Sequence, residues 1–87
     1  MISVLQIDGE HVLHAIQQAG EKLDDANGEL VLDFSSVRRL DPGALRAMEQ
    51  LAGLGDEKPV KLVLRGVNVE VYKVLKLMKL VERFSFL

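Results

Sequence analysis

Three short runs rich in aliphatic and β-branched residues frame this chain: Ile2 to Ile7 (ISVLQI), Leu30 to Phe34 (LVLDF) and Val60 to Leu64 (VKLVL). Each has the length of a strand, and the stretches between them are long enough to hold a helix. Parallel strands need a crossover of about a dozen residues or more, whereas hairpins need only a few. The spacing therefore predicts βαβ units and a mostly parallel sheet joined by right-handed crossovers. LVLDF is an almost unbroken apolar run, which predicts a central strand buried on both faces.

The intervening segments carry helix signals. From Glu10 to Leu23, the residues Val12, Ile16, Ala19 and Leu23 recur at helical spacing, with Gln17, Gln18, Glu21 and Lys22 on the other face. Asp8-Gly9 marks the turn before this helix. Asp24 to Gly28 ends it, with Asn27 and Gly28 suited to a left-handed backbone. Ser35 to Leu40 reads as a loop. Asp41-Pro42 then starts a second helix, because Asp is a good N-cap and Pro at the first helical position gives up no needed N–H. That helix is predicted to run to about Gly53, with Ala44, Leu45, Met48, Leu51 and Ala52 inward and Gly53 and Gly55 offering a C-cap. Asn68 is a third cap, for a helix from Val69 to about Leu80. Glu82 to Leu87 reads as a short last strand through Phe84 and Phe86. The order β-α-β-α-β-α-β predicts an α/β fold, with a mostly parallel four-stranded sheet and packed helices in a single domain over residues 1–87.

Composition narrows the function. Apolar residues make up 48% and charged residues 28% of 87 positions, a balance suited to a globular core and opposed to disorder. The absence of cysteine removes disulfides and thiolate metal ligands. The N-terminus lacks the basic start and apolar run of a signal peptide, and no stretch approaches the roughly 20 apolar residues of a membrane span. The expectation is a cytoplasmic protein without membrane insertion. A net charge of −2 opposes general nucleic-acid binding.

The stretch LVLDFSSVRRLDPGAL, Leu30 to Leu45, resembles the central signature of STAS domains, a family named for sulfate transporters and anti-sigma factor antagonists. Asp33, Ser35, Val37, Asp41 and Leu45 sit where that pattern places them. VKLVLRGVNVEVYKVLKLMKL, Val60 to Leu80, is similar to the following strand, loop and helix. It is especially similar to the STAS subunit of bacterial phospholipid ABC transporters, through Gly66, Val67, Asn68, Val71, Tyr72, Lys76, Leu77 and Leu80. The first 29 residues look abbreviated, with one strand before the first helix where the family usually has two. In the antagonist branch, the Asp is followed by Ser, then by a Ser or Thr that the partner kinase phosphorylates, then by Gly. Here those positions are Pro42, Gly43 and Ala44. The hydroxyl slot falls on Gly43, which cannot be phosphorylated, and the chain contains no threonine.

The resemblance implies a non-enzymatic, regulatory protein-interaction module of the anti-sigma factor antagonist kind, without a cofactor; the alternative is an accessory subunit of a lipid ABC transporter. Its expected docking surface is Arg38, Arg39, Asp41, Pro42, Gly43 and Arg46, with Tyr72 and Leu77 as a second patch on the last helix. Arg65 is expected to join Arg38 and Arg39 in a basic rim. Two partner classes fit: an anti-sigma factor or related kinase, and the ATPase subunit of a lipid transporter. The alternatives are a nucleotide or lipid binder at the strand ends and a homodimer burying the last helix. Glu10, His11 and His14 have a spacing compatible with zinc, but solvated histidines are the default reading. Asp33 and Asp41 are expected to bond backbone N–H groups and do no acid–base work. Gly53-Leu54-Gly55 follows a helix and precedes no Lys-Ser/Thr pair, so it is no phosphate loop.

Overall fold

The apolar runs pair with their sequence neighbours. The computed structural model describes residues 2–25 and 28–87. Its elements are β1 (Ile2–Gln6), α1 (Val12–Lys22), β2 (Gly28–Asp33), α2 (Pro42–Asp56), β3 (Val60–Arg65), α3 (Val69–Leu77), a 3-10 turn (Val81–Arg83) and β4 (Ser85–Phe86). All strand pairs are parallel and the strand order is β1-β2-β3-β4. Sequential order with crossovers of one hand puts all three helices on the same face of the sheet. Their buried side chains accordingly share one core with Ile7, Leu30, Leu32, Leu62 and Leu64.

The opposite face follows from the period of two along a strand. Val4, Val31, Val63 and Ser85 form one cross-strand row. Gln6, Asp33 and Arg65 form the row on one side of it, and Ile2, Glu29 and Lys61 the row on the other. Val31 and Val63 are buried by these neighbours, although no helix covers them. Towards the β1 edge, Ile2 and Val4 are exposed. β2 is thus buried on both faces as expected, by helices on one side and by its sheet neighbours on the other.

Three element ends differ from the sequence expectation. α2 continues through Gly53 and Gly55 to Asp56. Each glycine costs a helix about 1 kcal/mol, but Leu51 and Ala52 are buried, and Gly55 lies so close to Leu62 that a Cβ there would fall 2.7 Å from its Cδ1. Tertiary packing overrides the local stop signal. α3 ends at Leu77, short of Leu80. Lys79 takes a left-handed backbone (φ 60°), the Lys79 N–H donates to the Lys76 carbonyl, and the Leu80 N–H donates to the Leu75 carbonyl. This is a Schellman turn with lysine where glycine is usual. Burial of Leu80 against the core drives the reversal, since another helical turn would carry it outward. Finally, the stretch after Glu82 forms a strand of only two residues, preceded by the 3-10 turn that Arg83 ties to Asp56 at the end of α2. Gly28 has the expected positive φ of 100°, whereas Asn27 lies outside the described residues.

A left-handed backbone costs a non-glycine residue about 1–2 kcal/mol. Lys79→Gly should therefore stabilise the fold by about 1 kcal/mol, read as a higher urea midpoint at unchanged slope.

Candidate functional site

The carboxyl ends of β1, β2 and β3 bring three loops side by side, and the middle one, residues 34–41, is the most constrained. Phe34, Val37 and Leu40 recur every third residue and all three are buried, so they peg the loop into the core. Ser35, Ser36, Arg38 and Arg39 between them are exposed. The two neighbouring loops hold it from both sides with glycines. A Cβ at Gly9 would lie 2.0 Å from the Ser36 carbonyl oxygen. A Cβ at Gly66, whose φ is +72°, would come within 3.1–3.2 Å of Ser35.

Polar contacts complete the clamp. Asp33, at the end of β2, accepts from the Ser35 N–H (2.9 Å) and from Arg65 Nη2 (3.1 Å). Asn68 caps α3 by accepting from the Val71 N–H (2.8 Å), and its Nδ2 donates to the carbonyls of Val37 (3.1 Å) and Arg38 (3.0 Å). Asp41 caps α2, accepting from the Ala44 N–H at 2.8 Å. Both carboxylates thus bond backbone N–H groups as expected. Hydrogen bonds from Ser35, then the Arg65 guanidinium, pull the Asp33 pKa down to about 2. The Asp8 pKa is also lowered, by the Glu10 backbone N–H and then by His11, whose Nδ1 lies 3.1 Å from Asp8 Oδ2.

Arg38, Arg39, Asp41, Pro42 and Arg46 are each exposed, along the stretch where the loop turns into α2. Gly43 is half-buried there. A side chain at this position would make only ordinary contacts, 3.5 Å to Asp41 Oδ1 and 3.9 Å to Leu13 Cδ2. Arg65 does not join a basic rim, because it is paired with Asp33. The open hollow of about 610 Å³ beside Arg38 and Arg39 also contains Asp8, Glu10 and Ser36, so its charge is mixed. Among the described residues, no polar or charged side chain is buried. Tyr72 and Leu77 stand on different faces of α3: Tyr72 is edge-on to Phe86 at 5.3 Å, while Leu77 is 81% exposed. The pegs and the glycine contacts carry the site as much as the arginines do. The spacing Phe34-x-x-Val37-x-x-Leu40 was the available signal for the pegs.

Over residues 3–85 the sequence matches the family model described as "Mlab, STAS domain". The chain belongs to the STAS-domain family. The same architecture occurs in the crystal structure of a Thermotoga maritima protein assigned as an anti-sigma factor antagonist. The match has a TM-score of 0.68 and 20% identity, and covers 98% of this chain and 71% of that one. At this identity the likeness is one of fold. No curated protein matches the sequence. In this STAS domain, the family's signature loop is the clamped segment, with Asp33 at its start and Asp41 at its end.

Two measurements test the clamp. Gly9→Ala forces a methyl group into a backbone carbonyl and should destabilise the domain by about 1–3 kcal/mol, the usual penalty for overpacking, measured by urea denaturation. Asp33 titrates near pH 2 in the folded chain and near its ordinary 3.8 when unfolded. Its contribution is therefore present above about pH 4 and is lost as pH falls towards about 2. Thermal melts across that range should show a shallower acid decline for Asp33→Asn than for the wild type.

Proposed function

We propose that this STAS domain is a non-enzymatic docking module that binds a protein partner through the surface from Arg38 to Arg46. The observation that carries this reading is the clamped loop. Pegs, glycine contacts and the Asn68 amide hold its backbone before any partner arrives, so little ordering entropy remains to be lost on binding. Arg38, Arg39, Pro42 and Arg46 stand outward on this rigid support. The guanidinium groups suit carboxylates on a partner.

The module acts without the phosphoswitch of the antagonist branch. Gly43 offers no oxygen to phosphorylate, and Asp41 already takes the Ala44 N–H at the helix start. Docking is then constitutive. That favours a structural role beside the ATPase subunit of a lipid transporter, the class to which the Gly66–Leu80 segment is similar, over a regulated complex with an anti-sigma factor or kinase. Among the described residues no helix is long and apolar enough to cross a membrane, and we place the domain on the cytoplasmic side, where such ATPases work. A nucleotide or lipid site at the strand ends has less support. The hollows there are open, and among the described residues no buried polar group converges on them.

The test is a pull-down from native lysate, comparing the wild type with Arg38→Glu/Arg46→Glu. The wild type should retain one ATPase or kinase, and the double variant should bind it at least about tenfold more weakly. Capture of the same proteins by both would remove this surface as the interface.

A further inference from the structure

α3 has a face that the core does not use. Val71 and Leu75 are its buried residues. On the opposite side, Val69, Lys73, Lys76 and Leu77 fall at i, i+4, i+7 and i+8, which is one stripe of a helix. Val69 is 69% and Leu77 81% exposed. Lys79 follows at the helix end, and Glu70 flanks the stripe. Among the described residues, none of these three lysines forms an ion pair.

Two observations go beyond a solvated helix face. Lys79 is held at positive φ, in a position that glycine fills without strain. Next to it lies a hollow of about 280 Å³ lined by Lys76 and Lys79 together with Val81 and Glu82. The charges of the chain are also segregated. Seven of its 13 carboxylates but only one of its 11 lysines and arginines precede Phe34. On and next to α3 itself, Lys73, Lys76 and Lys79 outnumber Glu70 and Glu82.

From this complementarity we infer that the outer face of α3 takes an acidic, helix-forming segment of a partner protein. Carboxylates of that segment meet Lys73, Lys76 and Lys79, and an apolar side chain packs against the exposed Leu77. A bilayer fits less well. The apolar part is a few side chains on a short helix, stable membrane attachment needs more than one such signal, and the net charge of −2 opposes an anionic surface. The inference is independent of the Arg38–Arg46 surface.

The probe is a synthetic amphipathic peptide with Leu and Glu at helical spacing, titrated into nitrogen-15-labelled protein. Saturable shifts should centre on residues 69–83. Affinity should fall about tenfold or more in Lys73→Glu/Lys76→Glu and in Leu77→Asp, and should weaken with salt. Arg38→Glu/Arg46→Glu should bind the peptide like the wild type, which separates a failure here from a failure of the docking surface above. The replaced side chains are all exposed, and unchanged melting confirms that the variants fold. Four outcomes would overturn the inference. They are the absence of saturable shifts on α3, equal binding of a peptide with Lys in place of Glu, preferential binding to phosphatidylcholine–phosphatidylglycerol vesicles that the same variants lose, and self-association in light scattering that Leu77→Asp abolishes.

Discussion

The close approach of three backbone segments beyond the carboxyl ends of β1, β2 and β3 is the contact on which the rest of the structure depends. Ser35 and Ser36 lie between Gly9 and Gly66 at distances that exclude any side chain at Gly9 and crowd one at Gly66. Such contact is possible only because the intervening loop drops Phe34, Val37 and Leu40 into the core and so stays low against its neighbours. Once that loop is seated, Asp41 lies at a fixed point and α2 starts there. Ala44, Ala47, Met48 and Leu51 then meet the sheet and α1 in a single alignment.

Side-chain polar groups serve this arrangement at both ends of the loop. Asp33 closes the first turn through the Ser35 N–H and neutralises Arg65 on the next strand. Asn68 works in two directions, capping its own helix and satisfying two carbonyls of the loop. A buried or half-buried loop must place its backbone polar groups somewhere, and here a single amide meets part of that demand. The guanidinium groups of Arg38, Arg39 and Arg46 take no part in these inward contacts and stay exposed.

Much of this was legible in the sequence because it is local. Strand runs, helical periodicity and the caps at Asp41 and Asn68 each depend on a few adjacent residues, and the structure bears them out. What was not legible depends on distant contacts. The passage of α2 through two glycines reflects Leu62 lying against Gly55, and the early end of α3 reflects the burial of Leu80. The tight contact at Gly9 has no local sign at all, since Asp8-Gly9 reads as an ordinary turn. The expected basic rim failed for a similar reason. Arg65 and Asp33 are far apart in sequence, and only the register of β2 on β3 brings them together.

The sequential order of the strands also bears on how the chain reaches this state. Among the described residues, β1 pairs only with β2, β2 only with β1 and β3, and β4 only with β3. No strand waits for a partner from the far end of the polypeptide, so the mean sequence separation of contacts stays close to the length of one βα unit. Topologies of this kind fold faster than those built on long-range pairing. A chain leaving the ribosome can lay down each strand on the last, so that assembly keeps pace with synthesis.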